Sequence, residues 1–247
     1  VYYYPKRRED EVNRLYGDRV RIYHADFFKN PQTLEQYRFR GYNICVTDPP
    51  YNIGYKYDQY NDRMDEGDYL SMLASIVDVM PSVIIHYPET LHKLSIKLGK
   101  APERVISWCY NSNTRRQHRD IAFYGIKPDM HAVKQDYKNP GDQRIQELKA
   151  QGHAGGALYD WWEIEQVKNI SSEKTAHPCQ IPLAVMKNII GVLPPDSEII
   201  DPFGGSGTTA VACLELGRDC SVYEISEEYV NIAYQRVKGH SWQMKLI

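Results

Sequence analysis

The sequence predicts an α/β fold, with a mainly parallel sheet flanked by helices. Two observations carry that expectation. Short β-branched and aromatic runs alternate with longer amphipathic ones, as in strands joined by crossover helices. Four of those strand-like runs also end on an acid: Asp26, Asp48, Asp201 and Glu224. Ligands of parallel sheets sit at the carboxyl ends of the strands, and four acids there exceed what packing requires. At 247 residues the chain suits a single domain, expected to span 1–247, with at most a small insertion.

The elements follow in order. Residues 20–25, Val-Arg-Ile-Tyr-His-Ala, form the first predicted strand and lead into Asp26. Pro31 suits a first helical turn and opens a helix to about Phe39. Residues 43–47 are a second strand, stopped abruptly by Asp48 and two prolines. Between 68 and 80, Tyr69, Leu70, Leu73, Ile76, Val77 and Met80 recur at helical spacing. A buried strand at 82–87, a helix at 88–98 and strands at 104–108 and 121–124 come next. The polar, glycine-containing stretch 127–156 has no clear period. The last third resumes with a helix at 181–192 and a strand at 198–200 that ends at Asp201. A glycine turn then leads into a helix at 208–216, a strand at 220–223 ending at Glu224, and a closing helix at 227–237.

Composition narrows the class. No apolar run approaches the roughly 20 residues that span a bilayer. Cys45, Cys109, Cys179, Cys213 and Cys220 are scattered with no C-x-x-C pair, and the histidines lack H-E-x-x-H spacing. Neither a disulfide framework nor a metal site is therefore expected, and a reducing, cytoplasmic setting fits. The opening Val1-Tyr2-Tyr3-Tyr4-Pro5 has no initiator Met and no signal-peptide pattern, as in a trimmed or an incompletely observed product. The net charge of −2 does not mark a polycation. Charge is uneven, however: basic residues lead over 111–151, Arg115, Arg116 and Arg119 among them, whereas acids dominate 159–229. A basic segment on an acidic body can hold phosphate; a solvated loop with routine charges is the competing reading.

Phe203-Gly204-Gly205-Ser206-Gly207 lies between a predicted strand and a helix. Glycines there let the backbone turn and approach a ligand, and the helix start offers free N–H groups. Glu224 stands at the end of the next strand, where a carboxylate can hold ribose hydroxyls. The loop has no Lys and is not G-x-G-x-x-G, which disfavours nucleoside triphosphates and dinucleotides. A nucleoside ligand without a pyrophosphate fits better, and S-adenosylmethionine is one. A turn that merely eases strand–helix packing is the plainer alternative.

Asp48-Pro49-Pro50-Tyr51 presents an acid, carbonyl oxygens and a ring on a stiff turn. Methylating an aromatic amine needs such a set, because the nitrogen lone pair is delocalised into the ring. Two acceptors, the Asp48 carboxylate and the Pro49 carbonyl, would localise that lone pair and offset the positive charge that develops. Tyr51 would stack on the base and align it. Asp48 can then take the proton or pass it to water. A base within a duplex cannot reach such a pocket, so the target must be flipped out or single-stranded.

With these motifs, and with Glu173-Lys174-Thr175-Ala176-His177-Pro178-Cys179-Gln180-Ile181-Pro182 between them, the chain resembles the amino-group DNA methyltransferases, N6-adenine or N4-cytosine, in their β-type motif order. The resemblance runs from about Val20 to Lys238. It implies a Rossmann-like S-adenosylmethionine-dependent methyltransferase fold, with DNA as partner. It places Asp201 and residues 203–207 around the methionine end and sugar of the cofactor, and Glu224 at the ribose. Asp26 would meet the adenine of the cofactor, while Lys174, Thr175 and His177 would border its carboxylate. The family pairs Asp-Pro-Pro-Tyr with adenine and Ser-Pro-Pro-Tyr with cytosine, which favours N6-adenine. Cys179 and Ile181 depart from the Thr and Lys common there, so a hydroxyl and a cation are missing. Target recognition falls to the short segment 111–158, with Tyr51, Arg115, Arg116 and Arg119 as the nucleic-acid contacts. A homodimer or a partner subunit is compatible with the family. The alternatives are cytosine-N4 or RNA-base methylation and, in another class, a catalytically silent nucleic-acid-binding subunit.

Overall fold

The computed structural model describes residues 19–29, 31–38, 42–56, 60 and 62–244. Its strands are β1 (Val20–His24), β2 (Asn43–Thr47), β3 (Ser82–His86), β4 (Arg104–Cys109), β5 (His118–Tyr124), β6 (Lys134–Gln135), β7 (Gly156–Ala157), β8 (Trp161–Glu163), β9 (Glu198–Asp201) and β10 (Cys220–Glu224). Eight of them form one sheet in the order β1-β10-β9-β2-β3-β5-β4-β8, and β6 and β7 form a separate antiparallel ribbon. Within the large sheet β5 alone runs against its neighbours β3 and β4. The helices are α1 (Pro31–Arg38), α2 (Glu66–Val79), α3 (Pro88–Leu98), α4 (Gln143–Ala150), α5 (Leu183–Gly191), α6 (Thr208–Glu215) and α7 (Glu227–Met244).

Every residue of β2, β3 and β10 is buried, as expected of central strands covered on both faces. On one face Ile44, Val46, Val83 and Ile85 pack with Val185, Met186 and Ile189 of α5, Val211 of α6 and Val237 of α7. On the other, Ile84 and Tyr124 pack with Leu73 and Val77 of α2 and Leu94 of α3, and Cys45 and Ile200 meet Tyr37 of α1. The result is three layers, helix–sheet–helix, with each large buried side chain contributing about 1.5–3 kcal/mol. Among the described residues no helix is long and apolar enough to cross a membrane.

Several boundaries differ from expectation for identifiable reasons. Helix α2 begins at Glu66 rather than 68 because the Asp65 carboxylate accepts from the Gly67 and Asp68 N–H groups and caps it earlier. Strand β5 starts at His118 rather than 121. Its polar first half is paired with β4, Asp120 also stands opposite His86 of β3, and the Ser107 hydroxyl donates to Asp120 at 2.8 Å. The unread stretch 127–156 holds β6 and α4, and α4 buries none of its side chains. Strand β8, too short to carry a pattern, adds Trp162 to the core and leaves Trp161 exposed. The last helix runs seven residues past the expected 237, to Met244. Phe39 and the opening segment 1–5 lie outside the described residues.

Candidate active site

Strands β2 and β9 are parallel neighbours, but α2 and α6, which follow them, pack on opposite faces of the sheet. A crevice therefore opens above their carboxyl ends. Asp201 sits in it, 3% exposed, and binds the two strands together. It accepts from the hydroxyl of Thr47 on β2 (2.8 Å), the hydroxyl of Thr209 on α6 (2.5 Å) and the Phe203 N–H (3.0 Å). Burial pushes its carboxyl up to about 6 against these three hydrogen bonds.

The crevice holds a cavity of about 340 Å³ running from the Asp48 turn to Glu224. Asp26, Phe203, Gly204, Gly205 and Ser206 line one part, and Asp48, Pro49, Pro50 and Tyr51 another. The glycine loop is shaped by contacts that exclude side chains. A Cβ on Gly204 would lie 2.3 Å from Val222, and Gly205 has φ +50° with His177 Nε2 3.0 Å from where its Cβ would be. The Gly204 N–H donates to the Tyr223 carbonyl at 2.7 Å. The Gly205 and Ser226 N–H groups donate to the two oxygens of Glu224, both at 2.8 Å. Burial raises the Glu224 carboxyl, and these hydrogen bonds oppose the rise. From α7, the Arg236 guanidinium donates to the Ser206 carbonyl (2.8 Å) and its hydroxyl (3.0 Å), holding the loop from behind.

Of the third segment, His177 alone among the three expected residues lines the cavity. Thr175 accepts from the His177 N–H (3.2 Å) and donates to Gln180 (2.9 Å), while the Lys174 ammonium donates to the His177 carbonyl. These two build the turn that presents His177 and do not line the cavity. Burial and the charges of Lys174 and Arg236 lower His177 to about 4. The ring is thus neutral, and its buried Nδ1 has no partner. Gly207 also stands off the cavity: at φ +77° it lets α7 approach, with Ala233 only 2.5 Å from an added Cβ.

At the other end, the Tyr51 hydroxyl donates to Asp48 Oδ1 at 2.5 Å. Burial raises the Asp48 carboxyl; the charge of Arg119 and the Tyr51 hydrogen bond pull it back down. The Tyr51 ring stacks on His86 at 4.2 Å and meets the edge of Tyr87 at 4.8 Å.

Three residues that sequence reading missed fix this turn. The Tyr87 N–H donates to His86 Nδ1 (2.7 Å), so the neutral ring carries its proton on Nε2 and donates it to the Tyr69 hydroxyl (3.0 Å). Tyr69 in turn donates to the Pro50 carbonyl at 2.6 Å. Burial and then the Arg119 charge hold His86 down at about 3. Asp62, 1% exposed, accepts the N–H groups of Asn52 (2.7 Å), Ile53 (3.1 Å) and Tyr55 (2.9 Å) and anchors the loop after the turn. No spacing rule marked these residues, although an acid ten positions beyond Asn52 is the kind of group a loop rich in free N–H donors needs.

The three arginines separate. Arg115 and Arg116 are exposed, and Arg116 pairs with Glu89 at 3.0 Å with its guanidinium 4.0 Å from the centre of the Tyr87 ring. Arg119 instead lies on β5 and lines the cavity, with its side chain 17% exposed.

The model of the N6/N4 DNA methylase family matches residues 100–235, more than half of the chain. Type II methyltransferase M.ScaI of Streptomyces caespitosus is 28% identical over 90% of this chain and 82% of its own length. The DNA adenine methyltransferase YhdJ of Escherichia coli K12 is 25% identical over 92% of this chain and 85% of its own. Among solved structures, the M1.HpyAVI complex with SAM superposes with a TM-score of 0.54 at 24% identity, covering 87% of this chain and 98% of that one. The cytosine-N4-specific PvuII DNA methyltransferase does so with 0.61 at 14% identity, covering 89% and 90%. Together with the Asp-Pro-Pro-Tyr turn and glycine loop that share one crevice, the family match identifies the chain as a member of the N6/N4 DNA methylases.

Proposed function

We propose that this DNA methyltransferase transfers a methyl group from S-adenosylmethionine to N6 of an adenine flipped out of DNA. The observation that carries the reading is one cavity joining the Asp48-Pro49-Pro50-Tyr51 turn to the glycine loop and Glu224. The loop end fits a nucleoside: packing leaves Gly204 and Gly205 no room for a Cβ, so the loop lines the cavity without side chains there, bordered by an acid and by His177, whose buried Nδ1 is orphaned. Asp26, Asp201, Phe203–Ser206 and Glu224 would hold the cofactor, with Lys174, Thr175 and Gly207 shaping its surroundings and His177 offering a neutral ring at its edge. When bound, the cofactor supplies an electrophilic methyl group on a sulfonium sulfur.

The residues of the turn do the rest. The Asp48 carboxylate and the Pro49 carbonyl accept the two N–H bonds of the amine, localising the lone pair that forms the new N–C bond. Tyr51 holds the base so that the amine faces the cofactor end of the cavity. Asp48 would offset the positive charge that grows on the nitrogen as it accepts the methyl group, and would take the released proton or pass it to water. Adenine is favoured over cytosine by the Asp at the head of the turn and by the likeness to an adenine enzyme over nearly the whole chain. Residues 111–158, carrying Arg115 and Arg116, form the target-recognition segment.

Incubating the protein with DNA and S-adenosylmethionine and analysing the nucleosides by mass spectrometry tests this. N6-methyladenine is expected. N4-methylcytosine would move the reading to the cytosine branch, and no methylated nucleoside would overturn it in favour of a silent binding subunit.

A further inference from the structure

Arg119 is costly where it stands. Its guanidinium is 5.0, 5.2 and 5.8 Å from the ring centres of Tyr51, Trp108 and Tyr110, and its Nε is buried without a partner. Its ion pair with Asp48 Oδ2, at 3.8 Å, is longer than a hydrogen-bonded bridge. A buried cation in such surroundings is a weak source of stability. Its position is better explained by what it does to the acid it faces, since such arrangements concentrate at functional sites.

Asp48 sits where burial works against its charged form. Its side chain is 15% exposed. The groups around it are the Tyr51 hydroxyl on its own turn, Tyr69 of α2, Asp201 of β9 and Arg119 of β5, with His86 of β3, Tyr87 and Tyr110 facing the arginine. Asp201 and Asp48 repel one another as charges, His86 is neutral, and the tyrosines are neutral donors. Arg119 is therefore the single cation among these neighbours. A protonated Asp48 could not accept the amine N–H along its O–H direction, nor offset charge on nitrogen.

We propose that Arg119 is a positioning residue that keeps Asp48 ionised and aligned inside the crevice, supported by the aromatic faces of Tyr51, Trp108 and Tyr110. This rests on the reading of Asp48 as the amine acceptor. It extends the polar machinery from the turn itself to the antiparallel strand β5, whose polar start exists to deliver this side chain. An opposite charge at this distance shifts a carboxyl by about one to three units, so removing it should move the acid limb of the reaction upward by about one unit or more.

The test uses the whole protein in Arg119→Gln, Arg119→Met and Arg119→Lys forms, with thermal unfolding to establish folding. Arg119→Met keeps the packing of the stem if Gln disturbs it. Single-turnover methyl transfer is followed from pH 5 to 9, and the Asp48 carboxyl is titrated by ¹³C NMR, assigned by its loss in Asp48→Asn. The expected result is an acid limb and a carboxyl midpoint that move up together by about one unit or more in the neutral variants, a fall of about tenfold per unit on the acid side, while Lys keeps both near wild type. A neutral variant that loses rate equally at every pH, with the Asp48 midpoint unmoved, overturns the proposal. If the midpoint moves but even the wild type transfers no methyl group, the ion pair stands and the assignment of Asp48 to amine chemistry falls.

Discussion

Replacing Tyr69 by Phe removes one oxygen from the relay that runs from the Tyr87 N–H through His86 and Tyr69 to the Pro50 carbonyl. The ring stays, so packing in the 2% exposed Tyr69 site is retained. Two groups lose their partner. The Pro50 carbonyl borders the cavity and can take water, but His86 is 0% exposed and its Nε2–H is left unpaired. A buried donor without an acceptor costs about 1–3 kcal/mol. For a chain of this size each kcal/mol lowers Tm by about 2–4 °C, so a fall of about 2–12 °C is expected. The same change frees the turn that carries Asp48, and a shift of a fraction of an ångström there should slow transfer by about tenfold. Scanning calorimetry and single-turnover transfer at saturating cofactor read the two effects, with cofactor affinity as the control expected to hold. An unchanged Tm and an unchanged rate would refute the relay as the support of the turn.

Two other outcomes follow from the geometry. His86 and His177 are neutral in the fold, held at about 3 and about 4, against about 6.5 in an unfolded chain. As pH falls below about 6.5 the unfolded chain takes up these protons first, so stability present above that pH is lost towards pH 4. Asp201, held up at about 6, works in the opposite sense over the same window. Substituting His86→Gln should therefore flatten the pH dependence of urea unfolding by up to about 1.4 kcal/mol per pH unit; an identical slope would contradict a neutral buried ring. On the surface, neutralising Arg115 and Arg116 together should reduce the salt dependence of duplex binding by about one to two ion equivalents. An unchanged log–log slope would place the phosphate track elsewhere.

The centre of the sheet was legible because β2 and β3 are buried on both faces and its turns are made of residues with one conformational use, such as the prolines after β2 and the glycines after β9. The Asp-Pro-Pro-Tyr turn and the glycine loop were legible for the same reason: the residues of each are local in sequence. What escaped is chemistry assembled across the fold. Asp62 looks like any loop acid until Asn52, Ile53 and Tyr55 turn their N–H groups towards it. Tyr69 reads as one more apolar position on a helix, and His86 as the polar end of a strand, until β3 and α2 bring them together. Arg119 was grouped with Arg115 and Arg116 because the three are close in sequence. Yet Arg119 is held on β5 opposite Trp108 of β4 and turned into the cavity, while Arg115 and Arg116 lie before the strand begins and stay in solvent. Burial of a charged residue is decided by partners that are distant in sequence, so composition alone assigned all three to one surface.

The most direct test of the central claim is single-turnover transfer by Asp48→Ala with cofactor binding measured on the same protein. Glu224, the glycine loop and His177 remain in place, so S-adenosylmethionine should bind within a few-fold of wild type. Methyl transfer to DNA should fall by about 10²–10³, the loss typical when a preorganised acceptor is removed from a reacting centre. Retained cofactor binding with an intact transfer rate would show that the Asp48 turn does not hold the amine.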